Sequence, residues 1–223
     1  MRAGVAGGGD LARDTQALLY AAGIPVMEVG PGTDLVFLAV DPWEVNGWVE
    51  GLRRDDPGIG IVIRATVVPG TCRSLGCAYM PAMGPCAGIF GIDPGIPGEQ
   101  QIREAWSRMV PDHPGPVATD VAEVAKCARS CFLAAKISFF NEIATACDRL
   151  GIPFEDVRRA VVGDPRIGEG HTQVPGPDGQ YGFGGAHLPA DLRAFAGFLR
   201  AEGILSPLLD AIWMRNTMLD RAD

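Results

Sequence analysis

Lys126 and His187 are the residues in this chain best suited to move a proton, and each stands in patterned surroundings. Lys126 and Lys136 are the only lysines; arginine supplies the remaining basic charge, so a lysine kept here points to chemistry. Both fall on one apolar, helix-patterned segment from Glu123 to Ala146. His187 stands in Gly182-Phe183-Gly184-Gly185-Ala186-His187-Leu188-Pro189-Ala190-Asp191, a glycine-rich loop running into a helix start. Imidazole titrates near neutrality and suits general acid–base work. Asp191 can orient Lys126 or His187, or can serve as an acid at a helix N-terminus. Between helix and loop, Asp164-Pro165-Arg166-Ile167-Gly168 forms a charged turn in which Arg166 grips an anion or makes a surface ion pair. Helix, charged turn and glycine lid, in that order, suit the wall and floor of a small-molecule site. Gly184 and Gly185 serve tight loop geometry under any function, and His171 with Pro175–Gly179 reads as plain loop.

The elements that must position these groups begin with a strand at residues 2–6. Gly7-Gly8-Gly9-Asp10-Leu11-Ala12 and a helical pattern to Ala22 follow it. Strand, glycine turn and helix are what a dinucleotide fingerprint requires, here Gly7-x-Gly9-x-x-Ala12. A plain strand-to-helix turn produces the same pattern. Further strands are expected at Ile24–Val29, Asp34–Val40, Ile59–Ala65 and Cys77–Met80, with helices from Pro42 to Arg54 and from Thr71. This alternation predicts an α/β fold with a compact, doubly wound parallel sheet. Residues 84–98 read as loop, Gln100–Met109 as helix and Pro111–Pro116 as a linker. Beyond it the chain is all helical: 120–150, Pro153–Val162, Pro189–Glu202 and Ser206–Ala222. The expected domains are therefore 1–116, Rossmann-like, and 117–223, helical. The stripe Leu133, Ile137, Phe140 and Ala144 serves as core or dimer seam.

With 223 residues and a net charge of −8, and a pI near 4.9, the chain is unsuited to nucleic acid or an anionic membrane. No apolar run is long enough to span a bilayer, and the N-terminus reads as a strand, so the expected location is cytoplasmic. The six cysteines form no CxxC pair, and Cys72, Cys77 and Cys86 match no common zinc spacing. No metal site is expected.

The helical half resembles the central domain of the UDP-glucose/GDP-mannose dehydrogenase family. The resemblance runs through Ala122-Glu123-Val124-Ala125-Lys126, Phe132 to Ala144, Arg166-Ile167-Gly168, Gly182-Phe183-Gly184-Gly185 and Pro189-x-Asp191. The N-terminal half agrees more loosely, at the glycine turn, at Asp34–Val40 and at Ile61–Thr71. The resemblance implies a Rossmann domain followed by a helical domain like the C-terminal one of 6-phosphogluconate dehydrogenases. It also implies a homodimer formed through the 120–150 helix, and NAD or NADP as cofactor. On this alignment Gly7, Gly9, Asp10, Leu11, Val40 and Thr66 fall at the cofactor. Ser130, Arg166, Phe183, Gly184 and Gly185 fall at the substrate, and Lys126, His187, Asp191 and Thr66 at the chemistry.

Several positions depart from the family pattern. The nucleophilic cysteine of the family stands where this chain has His187, and an acyl-imidazole cannot replace the thioester relay. Ala190 replaces a lysine and Ser130 an asparagine, and Met80-Pro81-Ala82 stands in place of Asn-Pro-Glu. The chain given ends after the Ser206–Ala222 helix, so no C-terminal nucleotide-binding domain is expected. Val29 to Asp34 is too short for the usual second helix and third strand, which curtails the adenosine half of the cofactor site. Glu28 has roughly the right distance from Gly7 for the ribose-binding position, but the best register places Gly30 there, and the Asp10 carboxylate would cap the helix and repel a pyrophosphate. The expectation is a divergent NAD(P)-dependent oxidoreductase making at most one two-electron step on a small alcohol, aldehyde or imine. The alternatives are a cofactor-independent isomerase, lyase or cyclase using Lys126 and His187, and a non-catalytic dimeric binding protein.

Overall fold

The computed structural model describes residues 1–81, 88–112, 115–185 and 187–221. The loop expected at 84–98, the Ala82 and Cys86 positions and Ala186 therefore fall wholly or partly outside the described residues. Two compact units emerge, Met1–Lys126 and Cys127–Asp223.

In the first unit, β1 (Ala3–Gly7), β2 (Val26–Met27), β3 (Leu35–Ala39), β4 (Gly60–Ile63) and β5 (Ala78–Tyr79) form one sheet. Its order is β2-β1-β3-β4-β5 and every pairing is parallel. Both faces are covered, which explains the unbroken apolar runs of β3 and β4. Helix α1 (Gly9–Ala21) supplies Leu19 to one core layer, with Phe37, Val62 and Trp106 of α4 (Glu99–Met109). Helices α2 (Val45–Asp55) and α3 (Thr71–Leu75) close the opposite layer, where Val49 and Cys72 meet Val36, Leu38, Ile61 and Ile63. Strand β2 is shorter than expected from Ile24–Val29. The Ile24 N–H donates to the Leu19 carbonyl at the end of α1, so Ile24 closes the helix instead of extending the sheet.

The first unit runs on past the proline linker into the start of α5 (Thr119–Leu150), because Glu123 and Lys126 bond to the segment after β4. The second unit takes the remainder of α5 with α6 (Phe154–Val162), α7 (Leu188–Ala201) and α8 (Pro207–Arg215). Its core gathers Cys131, Ala134, Phe183, Leu192 and Ile212. The last helix departs from the expected Ser206–Ala222: α-helical bonding stops at Arg215 and a π-type turn spans Asn216–Asp220. Asn216 is the residue at which the bonding changes, and its side chain is engaged elsewhere. Phe132 and Phe139 on α5 are 68% and 56% exposed, whereas Phe140 and Ala144 are buried. Among the described residues no helix is long and apolar enough to cross a membrane.

Candidate active site

Parallel strands end at a common edge, and in open α/β sheets ligands bind there, where the strand order reverses. Here the reversal lies between β1 and β3. Gly7 ends β1, Val40 follows β3 and Thr66 lies shortly after β4, so three of the expected cofactor residues share this edge. Gly7 has φ +107° and pairs with Ala39; a Cβ there would overlap the Ala39 carbonyl. Only glycine lets the chain turn this close to β3. A Cβ on Gly8 or Gly9 would meet open space, leaving room for a phosphate over the first turn of α1. Asp10 behaves otherwise than expected. Gly8 is the N-cap, no side chain caps the helix, and the Asp10 carboxylate pairs outward with Arg13. Leu11 is half-buried on the same turn.

Glu28 directly follows β2, whereas Gly30 lies two residues further on. It lines a cavity of about 510 Å³ together with Gly7, Val5, Ala6, Gln16, Tyr20, Met27, Val29 and Trp48. The cavity is present despite the shortened connection to β3.

Lys126 is 5% exposed, and its Nζ donates to Thr66 Oγ1 at 2.6 Å. One turn earlier Glu123 is fully buried, and its two carboxylate oxygens accept the Gly70 N–H at 2.6 Å and the Cys72 N–H at 2.8 Å. These charge-assisted bonds hold the Thr66–Cys72 turn against α5 and so fix the lysine relative to the threonine. Glu123 was legible only as part of a motif; its positioning role depends on contacts more than fifty residues away in sequence. Burial, reinforced by Glu123, pushes the Cys72 thiol far up, and burial takes Cys77 up to about 12. Neither favours the thiolate that zinc or a nucleophile requires, and among the described residues no cluster of three ligands forms. Arg64, on the same edge, is 5% exposed with Nε unpartnered; burial pulls its guanidinium down to about 10, opposed by Asp14.

In the second unit the glycine-rich loop is fastened by two asparagines. Asn141 Oδ1 accepts the Gly182 N–H at 3.0 Å. Asn216 Oδ1 accepts the Phe183 N–H at 2.8 Å and its Nδ2 donates to the Phe183 carbonyl at 3.0 Å, an amide closing on both polar groups of one residue. Gly182 has φ +65°, and a Cβ there would overlap Asn216 Oδ1. A Cβ on Gly184 would overlap the Arg221 guanidinium, which pairs with Asp178. Phe183, Gly184 and Gly185 thereby line a cavity of about 680 Å³ with Ile137, Glu169, His171, Asp178, Leu188 and Arg221. Asn216 and Arg221 were missed in the sequence, where nothing distinguishes them from other polar residues of a C-terminal helix.

His187 is exposed at the N-cap of α7, and its carbonyl accepts the Asp191 N–H at 2.8 Å. Asp191 is 1% exposed, one turn inside α7. Ser130 is buried on α5. Arg166 is exposed and folds back on Asp164, its Nε 3.0 Å from Oδ1, in a local ion pair. Lys136 pins the charged turn: its Nζ donates to the Ile167 and Gly168 carbonyls at 2.9 and 2.8 Å.

His171, read from sequence as plain loop, lines the cavity in the left-handed region with φ 65°. Partial burial, then Lys136 and Arg129, hold its imidazole below the ordinary histidine value. Between that lowered value and about 6.5 the unfolded chain binds more protons, so the contribution to stability is complete above pH 6.5 and shrinks as pH falls through the window. An NMR titration of the His171 ring should give a midpoint below that of a free histidine; one at or above it contradicts this environment.

Residues 120–218 match the model of the UDP-glucose/GDP-mannose dehydrogenase family, central domain. A UDP-glucose 6-dehydrogenase from Pseudomonas aeruginosa is 42% identical over 95 residues, 43% of this chain and 20% of that protein. One from Rickettsia felis is 28% identical over 231 residues, covering 92% of this chain and 48% of the relative. The chain thus spans half or less of the length of these two relatives. The structure of Mycobacterium tuberculosis 3-hydroxyisobutyrate dehydrogenase superposes with a TM-score of 0.74 at 17% identity, covering 95% of this chain and 91% of that one; it is similar in fold. Motif, fold and match agree that residues 120–218 are similar to the central domain of the UDP-glucose/GDP-mannose dehydrogenases.

Proposed function

We propose that this chain is a nicotinamide-dinucleotide-dependent dehydrogenase that makes a single two-electron step on a small hydroxyl or carbonyl substrate. The observation that carries the reading is the buried Lys126 ammonium on Thr66 at the sheet edge that also presents the glycine turn and Glu28. The residues fit a dinucleotide. Gly8 and Gly9 leave space over the α1 N-terminus, and Asp10 turns outward to Arg13. When bound, the nicotinamide ring accepts or returns the hydride. Lys126 holds the proton that a substrate oxygen gains on reduction or gives up on oxidation, and its charge stabilises a developing alkoxide. Thr66 keeps the ammonium in place.

His187 stands where the family has its cysteine, so no thioester forms and oxidation stops at the carbonyl. Glu28 favours NAD over NADP, because its carboxylate accepts from a ribose 2′-hydroxyl and repels a 2′-phosphate. Titrating NADH and NADPH into the protein by fluorescence should show NADH binding about tenfold or more tightly than NADPH. Glu28→Gln should narrow the gap. Absence of binding by either at millimolar concentration would sink this reading.

A further inference from the structure

A parallel crossover normally contains a helix of its own. The β2-to-β3 crossover here is the bare segment Glu28–Asp34, which lies thinly across β1. A Cβ on Gly4 would be only 2.8 Å from Val29 Cγ2 and 3.2 Å from Thr33 Cγ2, so Val29 and Thr33 already press onto that strand. Where a covering helix is absent, a groove of about 770 Å³ opens between the crossover and α2. That volume falls in the range of small-molecule sites.

The groove has an apolar floor and an acidic rim. Val29, Trp48, Leu52 and Ile59 form the floor, while Glu44, Asp55 and Asp56 contribute carboxylates. Among the described residues no lysine or arginine lines it; Arg2 lies outside the lining, its guanidinium against Gly32. On α2, Gly47 and Gly51 flank Trp48 in the lining, and a Cβ on either would meet open space. A glycine inside a helix costs about 0.5 to 1 kcal/mol relative to alanine. Among the described residues no neighbour requires these two, and their effect is to keep the groove wide beside the half-exposed indole. The three carboxylates do not converge into a metal cluster among the described residues.

We propose that this groove binds a small organic cation, an amine with an aromatic or aliphatic body. The body lies on the floor and the ammonium reaches the carboxylates, with the Trp48 face available to it. An anion of the same shape meets repulsion, and a neutral one gains no attraction from the carboxylates. This site does not rest on the dehydrogenase reading, although Val29 and Trp48 also line the cavity that Glu28 lines.

The test compares phenethylammonium, 2-phenylethanol and phenylacetate, three probes of one shape and different charge. Binding is followed at low ionic strength by NMR of the Trp48 indole N–H, assigned with Trp48→Phe. Phenethylammonium should bind about tenfold more tightly than the alcohol, the order expected of three screened carboxylates acting together, and phenylacetate more weakly still. The triple variant Glu44→Gln, Asp55→Asn, Asp56→Asn should erase the difference between cation and alcohol, with folding checked by circular dichroism. Overturning results are phenylacetate binding equally well, an unchanged preference in the folded triple variant, or no Trp48 shift at millimolar probe. Complete displacement of the cation by AMP would also overturn it, by assigning the groove to the dinucleotide. Failure to bind NADH would leave this result untouched.

Discussion

Asn216→Ala is expected to destabilise the second unit by about 2 to 5 kcal/mol, because it strips partners from two buried backbone groups at once. The Phe183 N–H and carbonyl both bond to the Asn216 amide, and Phe183 itself is 2% exposed within the core. The loss should concentrate in the loop: hydrogen exchange at the Phe183 amide accelerates far more than at amides of α6. Asn216→Asp retains the acceptor but loses the donor, and places a carboxylate near Asp220, which is 5% exposed in its side chain and whose carboxyl burial already pushes up. The aspartate variant should therefore be worse at neutral pH than under mildly acid conditions. Chemical denaturation measures both. A midpoint shift equivalent to less than 1 kcal/mol with unaltered Phe183 exchange would contradict the clamp.

Lys126→Met should lower turnover by about 10² to 10⁴ while leaving NADH affinity within about threefold, since a proton-transfer group contributes to the chemical step. The assay uses whichever alcohol supports turnover by the unaltered chain. Methionine keeps much of the side-chain volume, and circular dichroism and a denaturation midpoint check that the variant folds before its turnover is compared. Lys126→Arg should fail to rescue, because a guanidinium holds its proton throughout the relevant range. Thr66→Val, which removes only the 2.6 Å partner, should cost less than Lys126→Met. Equal turnover in Lys126→Met would remove this lysine from the chemistry.

The parallel sheet was legible because its strands are continuous apolar runs and its first turn needs glycine. Gly7 illustrates why: a left-handed residue against the Ala39 carbonyl admits no side chain, and that constraint is written locally. The ends of elements were less legible. Ile24 looks like strand, yet it closes α1 through the Leu19 carbonyl. Asp10 looks like a helix cap, yet Arg13 three residues on draws its carboxylate outward. Placing Glu28 directly after β2 required the true end of that strand, which no periodicity marks over two residues. Lys126 could be picked out by its scarcity and its motif. Asn216 could not, because its meaning lies in a bond to a residue 33 positions earlier.

The bare β2-to-β3 crossover also bears on how the chain reaches its fold. Because no helix and strand are inserted there, three adjacent strands of the sheet are completed within the first forty residues, and the Arg2 amide meets Asp34 across 32 positions. Closing short loops costs little entropy, and local contacts shorten the search for native pairing. The glycine turn, Glu28 and Val40 all belong to this early segment. The part of the chain that would hold a dinucleotide can thus assemble as a nucleus, with β4 and β5 adding to an edge already formed.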